Sequence, residues 1–411
     1  MKAPIRFIHS ADLHLDSPFA GSSNMPDWLF QNLRNSTFEA FDRLIETAIE
    51  HHVDFILLCG DVFDQKTRNL KTQIWLKQRM EKLAEHHIHV FMSYGNHDHT
   101  GGDYHDIPYP DNVDVFEKST VHAKPFTKDG RTVAYIYGFS YPDQNVYENK
   151  TSEYCIEAHA DYHIAMLHGS SMRSSEHEHY APFTLTELLD CNMDYWALGH
   201  IHQRQSLSEY PPVHYSGNIQ GRSRKETGEK GCYVIDLSGG SCDMRFQALQ
   251  SFQYKNKELD AVHVNSIYDL EGLLKETKES LRQEQKNPVM LYVSVNTPEA
   301  AKFNQWKLEG DIEELIEIEN EREEGKASWI WITHLSIQPI ADRDESALSQ
   351  GSHFSEELIR QANTYTEINE ALAPLFRHRQ ARKYLAKLSD EDKEAIVKEA
   401  MQLALEKSLH E

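Results

Sequence analysis

Short apolar runs, separated by turn-rich segments and amphipathic stretches, occupy the chain from its start to about residue 250. They predict buried strands at Ile5–His9, Val53–Cys59, His89–Tyr94, Val133–Phe139, Tyr162–Leu167, Tyr195–Leu198, Val213–Tyr215, Tyr233–Leu237 and Met244–Leu249. Between the first two, Ser36-Thr37-Phe38-Glu39 has the form of a capping box. It predicts a helix opening there, with Phe38, Phe41, Ile45, Ala48 and Ile49 on one face. A second helix is expected from about Leu70 to His86. Strands alternating with helices, then a later run of strands, predict a layered α/β domain with a second sheet. The pattern breaks near 250–262. Beyond the break, a helix near 269–284, a strand at Val289–Val295, an acidic helix from Asp311 and a strand at Trp329–Gln338 predict a smaller α+β unit. Residues 341–353 read as a linker, and the remainder as helical, with Ser389-Asp390-Glu391-Asp392 capping a final helix.

At 411 residues the chain is too long for one compact core and suits two or three modules. Hydrophobic residues at 39% and charged residues at 26% are ordinary for a globular enzyme. No run approaches the roughly 18 apolar residues of a membrane span, and the first residues lack the long apolar stretch of a secretory signal. The five scattered cysteines (Cys59, Cys155, Cys191, Cys232, Cys242) form no CxxC pair. That argues against a disulfide framework or a thiolate zinc site and predicts a cytoplasmic protein. The net charge of −23 counts against a simple nucleic-acid binder. The charge is uneven, however: residues 299–324 hold ten acids and three bases, whereas 374–388 hold five basic residues and no acid.

The candidate chemistry sits directly after apolar strands. Five motifs fall there: Asp12-Leu13-His14, Gly60-Asp61-Val62-Phe63-Asp64, Gly95-Asn96-His97-Asp98, His168-Gly169 and Gly199-His200-Ile201-His202. Loops at the carboxyl ends of strands are where α/β folds gather functional groups. This mixed nitrogen and oxygen set, without thiolate, suits Mn²⁺, Fe²⁺ or Zn²⁺. Two ions fit the ligand count better than one. Asp12, His14 and His202 could hold one, and Asn96, His168 and His200 the other, with Asp61 as the bridge. The resulting positive site is complementary to a phosphodiester. His97 is placed to donate a proton to a leaving oxygen, with Asp98 expected to pair with its imidazole. Asp64 is expected to orient a ligand or to approach the substrate phosphate.

These motifs, in this order, closely resemble the calcineurin-like metallophosphoesterase superfamily. Within it the chain is similar to the SbcD-type DNA repair exonucleases, most closely their YhaO-type relatives. The residues that carry this are Phe7-Ile8-His9-Ser10-Ala11-Asp12-Leu13-His14-Leu15-Asp16, the Gly60–Asp64 segment, and Tyr215-Ser216-Gly217-Asn218 with Arg222. The resemblance covers roughly 1–250. It implies an α/β fold built as a two-layer β-sandwich flanked by helices, Mn²⁺-dependent cleavage of DNA, and an SbcC-like or Rad50-like ATPase partner. It also implies a nuclease domain at 1–252, a capping domain at 253–340, and a linker with helical C-terminus at 341–411 that binds the ATPase. A homodimer is expected from the resemblance and from the apolar helices after the second motif.

Taken singly, a His or Asp in such a loop is more often a turn or core group; the joint occurrence decides. His51-His52, His86-His87-His89 and His177-Glu178-His179 read as solvated helix ends and loops, and Cys59 as core. Tyr135, Tyr137 and Phe139 alternate at strand spacing and read as packing residues. Arg204, Arg222, Arg224 and Lys225 read as phosphate contacts or as a solvated loop. The competing functions are a phosphoprotein, cyclic-nucleotide or small-molecule phosphoesterase, and a scaffold in which the metal site supports structure.

Overall fold

The computed structural model describes residues 2–19, 25–65, 68–156, 158–172 and 180–340, then 360, 361, 365, 368–377, 393, 396, 397, 400 and 401. The strands are β1 Ile5–Ser10, β2 Phe55–Cys59, β3 His89–Ser93, β4 Val113–Val115, β5 His122–Lys128, β6 Arg131–Gly138, β7 Tyr162–His168, β8 Tyr195–Gly199, β9 Gln205–Glu209, β10 Pro212–Tyr215, β11 Gly231–Ser238, β12 Ser241–Ala248, β13 Gln253–Asp260, β14 Val289–Thr297 and β15 Ile330–Pro339. The helices are α1 Asp27–Glu50, α2 Leu70–Glu85, α3 Leu185–Asp190, α4 Ile267–Glu284, α5 Ala300–Glu309, α6 Asp311–Glu321 and α7 Ile368–Arg377.

Among the described residues two six-stranded sheets form, in the orders β12-β11-β1-β2-β3-β4 and β5-β6-β7-β8-β10-β9. Each is mixed. The runs β1-β2-β3-β4 and β6-β7-β8-β10 are parallel, and antiparallel strands flank them. Alternate residues of the two sheets interleave in one buried layer: Phe7, Phe55, Leu57 and Phe91 from the first, Ile136, Ile164, Met166 and Tyr195 from the second. The outer face of the first sheet packs on α1 and α2 through Ile8, Phe41, Leu44, Leu76 and Met80. The outer face of the second is closed by Tyr141, Tyr154, Leu188 and Trp196. Burial on both faces explains why the central strands β2, β7 and β8 are nearly continuous apolar runs.

A third, fully parallel sheet, β13-β14-β15, follows. One of its faces packs on α4, α5 and α6 through Leu270, Leu274, Phe303, Ile312 and Leu315. Its near end joins the main body through an aromatic cluster of Phe252, Tyr254 and Trp329 with Leu29 and Leu33 of α1. No helix among the described residues is long and apolar enough to cross a membrane.

The Ser36 capping box does not open α1. The helix begins nine residues earlier, after Pro26, and Ser36 lies buried inside it with its hydroxyl donating back to Leu33 O at 2.6 Å. Leu29 and Leu33 extend the apolar face one further contact, onto Phe252, and that packing overrides the local capping signal. His89 is not a solvated end: it lies on β3 with Nε2 2.9 Å from Asp114 Oδ2. Residues 177–179, the 341–353 linker, most of the 374–388 basic stretch and the 389–392 capping box lie outside the described residues.

Candidate metal centre

The parallel strands β1, β2, β3, β7 and β8 all deliver their carboxyl ends to one place, and the five motifs occupy the turns that leave them. Those turns are tight. Asp12, His14, Asp61 and His200 have positive φ values of 52°, 45°, 48° and 92°. Such backbone is sparsely populated by residues with a Cβ and persists where the surroundings hold it. Here Asp12 N donates to Gly60 O (3.2 Å), His14 N to Asp61 O (3.0 Å) and Leu15 N to Val62 O (3.0 Å), so the first two loops are laced together. Gly95 allows two of the proposed ligands to approach the backbone. A Cβ there would sit 2.3 Å from Asp61 Oδ1 and 2.7 Å from His168 Nε2.

The seven groups singled out from the sequence converge. His14 Nε2 lies 3.1 Å from His202 Nε2 and 3.8 Å from Asp61 Oδ2. His168 Nε2 lies 3.4 Å from the same Asp61 oxygen and 3.0 Å from Asn96 Oδ1, which His200 Nδ1 approaches to 3.2 Å. Asp12 accepts from the backbone N–H of His200 at 3.0 Å, and its Oδ1 stands 3.9 Å from His168 Nδ1. Ligand atoms of Asp12, His14 and His202 lie within 4.8 Å of one another, as do those of Asp12, Asp61 and His168, and of His14, Asp64 and His97.

The donor set fits divalent cations. Two imidazole Nε2 atoms face each other, and the Asn96 carbonyl oxygen faces two ring nitrogens, so nitrogen and oxygen donors without thiolate meet in one place, the ligand chemistry that such cations take. Buried carboxylates sharpen the demand for positive charge. Burial alone would lower the His168 pKa, but Asp61 and then Asp12 outweigh it and raise it to about 9. His14, buried and facing Arg222, is pushed down to about 3 and offers a neutral ring.

The surrounding shell differs from the sequence expectation at one point. Asp98 does not pair with the His97 imidazole. It accepts from the backbone N–H of Val62 (2.8 Å), Phe63 (3.1 Å) and Gly95 (2.7 Å), tying the second loop to the third. Burial, reinforced by Asp61, lifts its pKa to about 6. His97 Nδ1 instead meets Asp64 O at 2.9 Å, and the ring reaches solvent. The Asp64 carboxylate lies 3.2 Å from His14 Nδ1 and pairs with Arg222, whose guanidinium also donates to Ser17 Oγ. Arg204 is exposed and lies over the Phe246 ring, and Arg224 lies over Tyr292 of β14.

Two residues of this shell carry no sequence signal. Arg68, buried among Phe63, Tyr94 and Tyr104, donates to Asp98 O. Glu226 lies in a mixed-charge loop and sits 2.6 Å from His202 Nδ1. Neither belongs to a motif, and only the fold brings them in.

Residues 5–204 match the family model for calcineurin-like phosphoesterases. The chain is 37% identical to the uncharacterized metallophosphoesterase YhaO of Bacillus subtilis, over 100% of this chain and 99% of that protein. It is 25% identical to the SbcD subunit of the nuclease SbcCD from Escherichia coli K12, over 76% of this chain and 83% of the relative. It is 23% identical to the DNA double-strand break repair protein Mre11 of Thermoplasma acidophilum, over 52% and 59%. A layered α/β body with a buried His/Asp centre at its strand ends defines a metal-dependent phosphoesterase. The chain belongs to the calcineurin-like metallophosphoesterases.

Proposed function

We propose that this phosphoesterase is a Mn²⁺-dependent nuclease that cleaves DNA ends in repair, working with an SbcC-like or Rad50-like ATPase. The observation that carries the DNA reading is the reach of the similarity. The match to the SbcD subunit of SbcCD takes in 76% of the chain, more than the two-sheet body alone, and so includes part of the third-sheet module. On this reading that module, 253–340, caps the site and selects DNA ends, and the chain past 341 meets the ATPase.

Asp12, His14 and His202 would hold one cation and Asn96, His168 and His200 the other, with Asp61 as the group common to both. Two such ions would supply Lewis-acid polarisation of a phosphodiester and a lowered pKa for the attacking water. The chain's own residues do the rest. His97 has its Nδ1 committed to the Asp64 carbonyl, so it exchanges protons through Nε2 and donates to the leaving oxygen. Asp98 holds two of the ligand loops in register through three backbone N–H groups. Arg222 acts through Asp64 on His14, and exposed Arg204 contacts the phosphate backbone.

One observation favours a second reading, a phosphoprotein, cyclic-nucleotide or small-molecule phosphoesterase: a net charge of −23 repels a polyanion. Turnover of 5′- and 3′-labelled linear duplex DNA, a phosphopeptide and bis-p-nitrophenyl phosphate, each with Mn²⁺, separates the two. Degradation of the duplex supports the nuclease. Hydrolysis of the small esters with the duplex intact, with and without an SbcC-like ATPase, removes it.

A further inference from the structure

The three ligand histidines whose Nε2 faces the centre are held differently at their other nitrogen. His168 Nδ1 meets the backbone carbonyl of Cys59 (3.0 Å), and His14 Nδ1 lies beside the Asp64 carboxylate. His202 Nδ1 meets a carboxylate at 2.6 Å, that of Glu226, the shortest of these contacts. An ionised carboxylate only accepts, so the proton of a neutral His202 ring must sit on Nδ1. Nε2, 3.1 Å from His14 Nε2, is then left with a bare lone pair facing the centre.

Glu226 is itself fixed. Its second oxygen accepts from Asn218 Nδ2 (3.0 Å) and from the backbone N–H of Arg222 (2.6 Å). Lys230 Nζ donates to His202 O (2.9 Å), so the same loop grips the histidine through its backbone as well. The loop is anchored to the third sheet. Tyr254 of β13 donates its hydroxyl to Arg222 O (3.2 Å), and Thr227 forms a β-bridge with Tyr254. Through the Arg222 side chain the loop also reaches Asp64, and so His14. One loop thus backs two of the proposed ligands.

Resting on the two-cation reading above, we propose that Glu226 is a positioning residue of the metal centre. It holds His202 as the Nδ1–H tautomer with Nε2 aimed at the cation shared with Asp12 and His14. Its two oxygens face different demands, which makes Glu226→Gln an isosteric test. Two donors, Asn218 Nδ2 and Arg222 N, face one oxygen. The amide of E226Q satisfies both by turning its carbonyl toward them, which presents its NH₂ to His202 Nδ1. That reverses the tautomer and puts a proton on Nε2, where the cation should bind.

The experiment is nitrogen-15 NMR of the histidine rings in the metal-free protein, above the imidazole titration range, with calorimetric Mn²⁺ titration of the same samples. Wild type should show His202 as the Nδ1–H tautomer, and E226Q should show Nε2–H. E226Q should also lose about 10- to 100-fold in affinity at one cation site, leaving the site of Asn96, His168 and His200 near wild type. Glu226→Ala, with no acceptor, should show mixed tautomers and a similar loss. An E226Q protein with the wild-type tautomer and both wild-type affinities overturns the proposal, whether or not the alanine variant folds. A wild-type protein that binds no Mn²⁺ overturns the two-cation reading instead, and the ring spectra still decide what Glu226 does.

Discussion

Asp61 and His97 are near neighbours with separable duties. Asp61 faces both His14 and His168, whereas His97 is no proposed ligand and supports Asp61 through its backbone N–H, which donates to Oδ1 at 2.9 Å. Asp61→Ala should therefore abolish both Mn²⁺ binding at the bridged pair and phosphodiester turnover. His97→Ala should keep the metal and lose about 100-fold or more in turnover. Calorimetry beside a bis-p-nitrophenyl phosphate assay reads both, and equal metal loss in the two variants would contradict the division. His9 makes a second prediction. It is fully buried, accepts from Tyr195 OH (3.0 Å) and donates to Leu198 O (3.1 Å), and burial lowers its pKa from 6.5 to about 3. As pH falls from about 6.5 towards about 3, the unfolded chain gains a proton that the folded one refuses. Stability should fall over that window by up to about 1.4 kcal/mol per pH unit. His9→Gln, which keeps a donor and an acceptor but cannot titrate, should flatten this part of a urea-unfolding series against pH; an unchanged slope would show that His9 does not carry it. At this scale the sequence revealed what sits inside motifs and missed what the fold supplies. The seven groups are adjacent to apolar runs and visible, whereas Glu226 and Arg68 reach the site from loops with no pattern, and the true partner of His97 is a backbone carbonyl that no residue type announces.

Among the elements, strands buried on both faces were legible, and the most polar edge strands were not. β2 and β7 are buried throughout, and their unbroken apolar runs mark them. β5, β9 and β13 are sheet edges of mixed polar sequence, His122–Lys128, Gln205–Glu209 and Gln253–Asp260, and their pairing comes from a neighbour rather than from their own side chains. The acidic run at 299–324 is more than a charged face. Glu319 and Glu323 turn inward against Lys278, and Glu323 also pairs with Arg282 and accepts from the backbone N–H of Ile330 at 3.0 Å. Lys278 and Arg282 lie 41 or more residues back along the chain, which is why the sequence shows only the acids. Burial would raise the Glu323 pKa, but the Arg282 and Lys278 contacts bring it from 4.5 down to about 2. Its stabilising contribution is therefore complete above about 4.5 and lost as pH falls through about 2. Glu323→Ala leaves Lys278 buried with weaker compensation and should cost about 3–5 kcal/mol in urea unfolding at neutral pH. A loss under about 1 kcal/mol would mean that α4, α6 and β15 are held by their apolar faces alone.

Across the whole molecule, two sheets in one sandwich bring loops from residues 12 to 202 to a single rim, and the third sheet reaches that rim through Tyr254 and the 218–228 loop. The homodimer expected from the sequence is tested by light scattering at micromolar concentration, where a species of twice the chain mass supports it and a lone monomer removes it. Everything proposed for the chemistry depends on cations at the rim. Anomalous diffraction from crystals grown with Mn²⁺ reads this directly. Two peaks about 3.5–4 Å apart, with Asp61 between them, are expected. A pocket without manganese, or an ion that leaves Asp61 and the two histidine sets untouched, would contradict the metal centre and the function built on it.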